Sequence, residues 1–431
     1  MVSLPDSQMS SSNRIQRSLG RSMRTIRSNI FNSEPDRSPD PLPEAMDNMT
    51  DSFVDLRLRE LAEDIGYSAS KSASAAAATD LLEVSRDFSD FSSFNSDISG
   101  ELERLAAISR SDAPVNSLSD FGDPESENLD SAPLEAVEPV VRACVESLTP
   151  SAAAETKRNA AARLRLLAKH RSDFRELIGE SGAIPELVAL LKSTDPAAQE
   201  SAVTALLNIS LEEGNKAAIT AAGAIKPLVY ALRTGTAATK QNAACALLSL
   251  SMIEENRPKI GASGAIPPLV SLLVNGSNRG KKDALTTLYK LCSARRNKER
   301  AVNAGAVAPL VELVGERGGG TAEKAMVVLG ILAGIAEGRA AIVEAGGIPS
   351  LVEAIEDGPA KGKEFAVLVL LQLCADSAVN RALLVREGAI PPLVALSQSG
   401  SARAKHKAET LLGYLREQRQ EGGAAPLSLA R

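Results

Sequence analysis

The phrase Gly182-Ala-Ile-Pro-Glu-Leu-Val188 returns five more times along the chain, and its period decides the fold. Spacings of 41, 41, 41, 41 and 42 residues separate the later copies, which begin at Gly223, Gly264, Gly305, Gly346 and Gly388. A near-constant period of about 40 residues indicates units that stack on their neighbours and share one extended core. The sequence therefore predicts a solenoid.

Each period is predicted to hold three helices. A short first helix ends at the repeated glycine, which suits a left-handed C′ position, and a proline then starts the second helix without losing a hydrogen bond. Asparagines at good N-cap positions are predicted to open the first helices, at Asn215, Asn256, Asn297 and Asn380. The third helices are predicted at 199–210, 240–251, 281–292, 322–333, 363–374 and 404–415. A weaker copy over 137–169 makes seven units, the first incomplete.

Composition excludes several classes of function. The aromatic fraction is 3% with no Trp, so the repeats must pack Ala, Leu, Val and Ile, and Cys292 and Cys374 are predicted to be small core residues. The four cysteines have neither metal-ligand nor redox spacing, and the chain has two histidines. No nucleophile–base pair or phosphate-binding loop is visible. The sequence thus predicts no catalytic residue, no metal and no cofactor.

The phrases Gln199-Glu-Ser-Ala-Val-Thr-Ala-Leu-Leu-Asn-Ile-Ser210 and Glu213-Gly-Asn-Lys-Ala-Ala-Ile219 resemble the armadillo region of plant U-box ubiquitin ligases, and the resemblance covers residues 136–416. It implies an all-α, right-handed α-solenoid of about seven armadillo repeats, whose third helices line a concave groove that binds a partner. The first 135 residues show no U-box pattern. We therefore expect an adaptor that binds another protein; the alternative is a substrate-recognition or partner subunit of a U-box-type ubiquitin ligase.

Nuclear import adaptors of this fold bind basic peptides with a Trp and Asn ladder on their third helices. The Asn positions here read Asn208, Ser249, Lys290, Ile331, Gln372 and Gly413, and the chain has no Trp. A basic cargo is therefore not expected.

The fourth unit is strongly basic, with Arg279, Lys281, Lys282, Lys290, Arg295, Arg296, Lys298 and Arg300. This cluster fits either a solvated surface or a docking patch for an acidic or phosphorylated protein segment. Nucleic acid is disfavoured because the net charge is −6 and no aromatic residues interleave with the basic ones. The predicted groove residues are Asn208, Ser249, Lys281, Lys282, Lys290, Arg295, Arg296, Lys298 and Gln372.

Residues 1–135 are predicted to form a mostly disordered arm, and residues 417–431 a disordered tail. The arm has a basic helical segment at 14–30, interpretable as a nuclear signal, a membrane-surface contact, an organellar targeting segment or plain tail, and an amphipathic segment at 53–66. Residues 34–140 hold 25 Asp and Glu against 7 Lys and Arg, a net charge of −18, so the arm is expected to compete for the basic groove. No membrane span is expected, and a cytoplasmic or nuclear location is predicted.

Overall fold

The computed structural model describes residues 132–316 and 320–423, with side chains through Glu417. The predictions made for residues 1–131 and for the end of the tail lie outside these ranges. Within them the chain forms twenty α-helices and no strand. The last helix extends to Gly423, seven residues beyond the predicted end of the repeats at 416.

The described helices fall into two compact units, residues 132–345 and 346–423. Fifteen helices form the first unit: α1 (Leu134–Ser147), α2 (Ala154–His170), α3 (Ser172–Glu180), α4 (Ala183–Leu190), α5 (Pro196–Ile209), α6 (Glu213–Ala221), α7 (Ile225–Thr234), α8 (Ala237–Leu250), α9 (Asn256–Ala262), α10 (Ile266–Asn275), α11 (Asn278–Leu291), α12 (Arg295–Asn303), α13 (Val307–Val314), α14 (Thr321–Ala333) and α15 (Ala336–Glu344). Five form the second unit: α16 (Gly347–Asp357), α17 (Ala360–Cys374), α18 (Ala378–Arg386), α19 (Ile390–Ser399) and α20 (Ala402–Gly423).

Four complete three-helix repeats lie in the first unit, namely α3–α5, α6–α8, α9–α11 and α12–α14. The repeated glycines between first and second helices all have positive φ, between 69° and 83°. Residues with a Cβ are strained in this left-handed region, so the glycine lets the chain reverse there. The predicted role of the repeated glycine is confirmed.

The third helices form the backbone of the first unit. Helices α2, α5, α8, α11 and α14 pack side by side in chain order. Ala205 and Ala246 are buried on them and let neighbouring helices approach closely. All four cysteines are buried and none forms a disulfide, as expected for small core residues. The core is thus a continuous aliphatic layer along the row of third helices.

The predicted asparagine N-caps are wrong. Asn215 and Asn297 lie in the third position of α6 and α12, and their Nδ2 atoms donate to backbone carbonyls instead. One acceptor is the end of the preceding third helix, Ile209 or Leu291, at 3.2 and 2.9 Å. The other lies on the first helix one repeat earlier, 2.8 Å away in both cases. These buried asparagines therefore join three helices of two repeats rather than capping one.

Glycine and threonine alternate opposite these asparagines. A Cβ added to Gly179 or Gly261 would lie 2.0 or 1.9 Å from the asparagine Oδ1 of the next repeat. Thr220 occupies the same position in the intervening repeat, and there Asn256 donates to the Thr220 hydroxyl, at 3.0 Å. Each asparagine is thus matched to the residue it meets in the preceding repeat.

Candidate protein-binding surface

Three positions four residues apart define one face of each third helix, because residues i, i+4 and i+8 share a helix face. We call these positions the groove line. The groove lines are Glu200-Thr204-Asn208 on α5, Gln241-Cys245-Ser249 on α8, Lys282-Thr286-Lys290 on α11 and Glu323-Val327-Ile331 on α14. Helix α11 alone among these four carries a basic residue at both ends of its line.

Two predicted groove residues make bonds between repeats. Asn208 is 2% exposed and donates to the Arg165 carbonyl at 3.2 Å. Ser249 is fully buried and donates to the Ser210 carbonyl at 2.8 Å. Both side chains therefore stabilise the packing of adjacent third helices.

Gln372 occupies the corresponding position on α17, in the second unit. It is 7% exposed, and its Oε1 atom has no hydrogen-bond partner among the described residues.

At the start of α11 the two adjacent lysines differ. Lys281 bonds to Glu316 of the next repeat at 3.2 Å. One repeat earlier, Gln241 makes a similar bond from α8 to Ser277, the N-cap of α11, at 2.7 Å. Lys282 is half-buried, and its side chain has no hydrogen bond or ion pair with the described residues. Lys281 is thus part of the repeat-to-repeat bonding, and Lys282 is available to a partner.

Lys290 lies in the last turn of α11, where its charge is favourable to the helix dipole. It is half-buried and, within the described part of the chain, has no ion pair or side-chain hydrogen bond. Burial lowers the pKa of Lys290, the positive charge of Arg257 lowers it further, and Glu254 acts in the opposite direction. A half-buried cation near a second cation would be stabilised by an anion.

Four of the basic residues, Arg295, Arg296, Lys298 and Arg300, belong to α12, which starts the next repeat, so the cluster spans two repeats rather than one. Arg295 is 84% exposed and lies 3.6 Å from Glu299, and Arg296 is exposed. Lys298 is half-buried, and burial, then the charge of Arg295, lowers its pKa. Its Nζ reaches the Gly334 turn that ends α14.

The predicted cluster therefore lies at two ends of α11. Lys282 and Lys290 are eight residues apart, about 12 Å along the helix axis. Arg295, Arg296 and Lys298 follow beyond its C-terminal end.

Lys324 of α14 was missed in the sequence. Its Nζ lies 3.3 Å from Thr286 Oγ1, at the middle of the α11 groove line. Thr286 itself is buried and donates to the Lys282 carbonyl. Lysines from two helices thus follow one line, and we call Lys282, Lys290 and Lys324 the basic strip. The sequence did not indicate that Lys324 belongs with Lys282 and Lys290, because it comes near them only through the packing of α14 on α11.

A second periodic feature was also missed. Each first helix carries a basic residue at the same place: Arg175, Lys216, Arg257, Lys298, Arg339 and, in the second unit, Arg381. Arg257 donates to the Ser251 carbonyl at 3.0 Å and Arg339 to the Ala333 carbonyl at 3.1 Å, so both satisfy the end of a third helix. Lys298 makes no such bond among the described residues, which leaves its charge available beside the strip.

Burial lowers the reactivity of two of the cysteines. Burial raises the pKa of Cys292 and of Cys374 to about 12, which disfavours the reactive thiolate. In residues 132–316 and 320–423 no group of His, Cys, Asp and Glu is placed to hold a metal ion. No helix in the same ranges has the length and apolar character needed to cross a membrane.

Stacked three-helix units with a continuous row of third helices define an armadillo-repeat protein, a class whose fold is a scaffold for binding other proteins. The family model for the plant U-box protein ARM repeat region matches residues 140–426. The chain therefore belongs to the plant U-box protein ARM repeat family.

Curated relatives match over short segments. U-box domain-containing protein 4 of Arabidopsis thaliana is 56% identical over 80 residues, which is 19% of this chain and 10% of that protein. The E3 ubiquitin-protein ligase SPL11 of Oryza sativa subsp. japonica is 58% identical over 59 residues, 14% of this chain and 8% of that protein. The chain thus spans about a tenth of the length of these relatives.

Solved structures agree on the fold. An engineered protein from the Northeast Structural Genomics Consortium has a TM-score of 0.59 at 26% identity, covering 74% of this chain and 79% of that one. A computationally designed armadillo repeat protein for modular peptide recognition has a TM-score of 0.50 at 25% identity, covering 54% of this chain and 99% of that one. The predicted armadillo solenoid is confirmed.

Proposed function

We propose that this chain is a non-catalytic adaptor that holds an acidic or phosphorylated protein segment on the basic strip. The observation that carries the proposal is the pair Lys282 and Lys290, two half-buried cations on one helix face that make no ion pair and no side-chain hydrogen bond with the described residues. An acidic segment lying along α11 supplies the missing charges, and partly desolvated charge pairs fix its register.

Arg295, Arg296 and Lys298 extend this surface. They lie beyond the C-terminal end of α11, so a segment running along the strip would reach them next. The exposed arginines favour encounter with an acidic partner, because exposed charges mainly steer association. Asn208, Ser249 and Lys281 make bonds between repeats of the first unit, whereas Gln372 lies in the second unit.

Direct binding tests the proposal. The probe is a fluorescein-labelled Asp-Ser-Gly repeat peptide of about twelve residues, with and without phosphoserine, titrated onto the full chain. We expect Lys282→Gln/Lys290→Gln to weaken binding at least tenfold. Charge reversal of Arg295, Arg296 and Lys298 should also weaken binding of the labelled peptide.

The control variant is Lys226→Gln/Lys259→Gln, which removes two exposed lysines from α7 and α9. It changes the net charge equally but leaves the strip intact. Equal affinities of the two double variants, with unchanged thermal unfolding, would contradict the assignment of this surface.

A role in the ubiquitin pathway is the second candidate function. The observation that favours it is the membership of residues 140–426 in a family described from U-box proteins. The armadillo region supplies binding in such a role, since no E2-binding domain is readable in this sequence. We expect no ubiquitin transfer by the chain alone with E1 and E2. Transfer should appear only when a U-box protein is added, and autonomous transfer would overturn the non-enzymatic assignment.

The same proposal places the chain in the cytoplasm or nucleus. Imaging of a fluorescent fusion in plant cells tests it, and a signal confined to an organelle would contradict it.

A further inference from the structure

Charge is divided between two parts of the sequence. Residues 34–130 contain 23 Asp and Glu against 7 Lys and Arg, a net charge of −16. The basic strip and α12 carry the opposite sign on the repeats. A tethered segment of opposite charge competes with any acidic partner for the same surface.

One segment combines the two chemistries that this surface offers. Asp87-Phe-Ser-Asp-Phe-Ser-Ser-Phe-Asn-Ser-Asp97 has three Asp and three Phe, with no Lys or Arg. Lys290 supplies a cation. Ile331, at the same groove-line position on the adjacent α14, is a half-buried apolar residue. Aspartate and phenylalanine side chains therefore each have a matching neighbour at the C-terminal end of the strip.

We propose that residues 87–97 dock on the basic strip of their own molecule and exclude acidic partners until these displace them. This inference rests on the proposed function, because it assigns an occupant to the same surface. The docked segment places carboxylates near Lys282 and Lys290 and phenylalanines against Ile331.

The length of the connecting chain supports this choice. Three helix-to-helix steps separate α2 from α11, at about 8–10 Å each, so the strip lies roughly 30 Å along the row of third helices. Residues 98–131 provide 34 residues between the segment and the described chain. A flexible linker of that length has an r.m.s. end-to-end distance of roughly 30–35 Å. Effective concentration is greatest when this distance matches the span.

Other acidic stretches fit this span less well. Residues 120–130 would cover it only if nearly fully extended, since each residue spans at most about 3.6 Å. For residues 34–64 the intervening stretch is 67 residues, and because a flexible chain of that length has an r.m.s. end-to-end distance of roughly 40–50 Å, the expected effective concentration is lower. Residues 87–97 therefore have a better reach than either of these stretches, as well as a suitable composition.

A titration on the full chain tests the proposal. The probe is a fluorescein-labelled peptide of residues 87–97. The test variant is Asp87→Asn/Asp90→Asn/Asp97→Asn, which disables the tethered copy. At an effective concentration of about 1 mM and an intrinsic Kd of about 0.1 mM, the tethered copy weakens apparent affinity about tenfold. We expect the test variant to bind the probe about tenfold more tightly than the parent chain.

The control removes the same charge elsewhere in the arm, as Asp120→Asn/Asp123→Asn/Asp130→Asn. It should bind like the parent chain, and an equal gain in both variants would overturn the choice of residues 87–97. Adding Lys282→Gln/Lys290→Gln to the test variant should abolish the gain. Retained tight binding would place the peptide elsewhere on the chain and overturn the docking site.

The two proposals can fail separately. If the probe and the Asp-Ser-Gly peptide bind the parent chain and the test variant equally well, and both need Lys282 and Lys290, the intramolecular contact is refuted while the acidic-partner site stands. If neither peptide binds the test variant, the proposed function itself fails.

Spin labels distinguish the chain's own arm from the arm of a second copy. The native cysteines are buried, so Ser92→Cys and Glu255→Cys in the cysteine-containing parent should label selectively. Glu255 is exposed next to the start of α9. We expect a population of short distances, below about 30 Å, that persists on dilution and when unlabelled chain is added in excess. Loss of this population under either condition would assign the contact to a second copy and overturn the intramolecular form.

Discussion

Helices α8 and α11 are successive third helices with the same length of 14 residues, yet they have different surfaces. The groove line on α8 reads Gln241, Cys245 and Ser249, and the Ser249 hydroxyl donates a hydrogen bond to the preceding repeat. The line on α11 begins and ends with lysines that have no such partner among the described residues. The comparison teaches that one groove-line position can hold either a buried side chain bonded to the preceding repeat, as at Ser249, or a half-buried cation without such a bond, as at Lys290.

The first way to break the comparison is to give α8 the chemistry of α11. Ser249→Lys removes a buried hydrogen bond and forces a long charged side chain into a fully buried position. We expect a loss of about 3 kcal/mol in the free energy of unfolding, from overpacking and desolvation together. Denaturant unfolding measures it, and Ser249→Ala, losing about 1 kcal/mol, isolates the bond. A Ser249→Lys variant as stable as the parent would show that this position can hold a lysine side chain without overpacking or desolvation.

The second test concerns the framework that both repeats share. Gly261→Ala would place a Cβ 1.9 Å from Oδ1 of Asn297, so the asparagine must move and its carbonyl bonds weaken. We expect a loss of about 2 kcal/mol. The control is Gly214→Ala, also inside a first helix but with open space around the new Cβ, which should be neutral or stabilising by up to about 1 kcal/mol. Equal behaviour of the two variants would contradict this account.

The third test gives α11 the chemistry of α8. Lys282→Gln/Lys290→Ser copies the α8 residues at two groove-line positions. We expect affinity for an acidic peptide to fall about tenfold, or about 1.4 kcal/mol, with a flatter dependence on salt. Thermal unfolding should be unchanged or shifted upward, because a half-buried charge is removed. An unchanged salt dependence would argue that these lysines do not contact the peptide.

The fourth and smallest effect is a pH dependence. Burial lowers the pKa of Lys290 and Lys298 below the usual 10.5, so both lose their protons earlier than exposed lysines as the pH rises. Acidic peptide should bind more weakly as pH rises through this lowered pKa. The unbound chain should gain stability over the window from the lowered pKa to 10.5, because the unfolded state binds more protons there.

Arginine substitution isolates that effect. Lys290→Arg/Lys298→Arg keeps the charge at high pH, and its peptide affinity should change less between pH 8 and pH 10 than that of the parent chain. Arg257, Arg295 and Glu254 contribute charge around these lysines. A parent and variant with the same pH profile would assign the dependence to other groups.

The sequence was sufficient wherever a local rule decides the structure. The repeated glycines needed no tertiary information, because a left-handed residue between two helices strongly favours glycine. The third helices were located to within a few residues at Gln199, Lys240 and Lys281, since apolar periodicity and period 41 both mark them. The armadillo fold followed from these features.

Non-local contacts decided what the sequence did not reveal. Asn215 is a good N-cap by type, but its partners are carbonyls on α3 and α5, and no pattern within one helix indicates them. The difference between Lys281 and Lys282 depends on the position of Glu316 in the next repeat. Residues 87–97 stay a prediction, since they lie outside the described residues.

The matched asparagines also bear on how such arrays change by gene duplication and recombination. Asn297 needs the space above Gly261, whereas Asn256 donates a hydrogen bond to the hydroxyl of Thr220. Each of these contacts joins one residue of a repeat to one residue of the next repeat. A duplicated or exchanged repeat that separated a glycine from its asparagine would place that asparagine against a residue that it does not fit. Viable crossovers should therefore rarely fall between a glycine-or-threonine position and the asparagine of the following repeat, and engineered repeat exchanges should move both residues of a pair as one block.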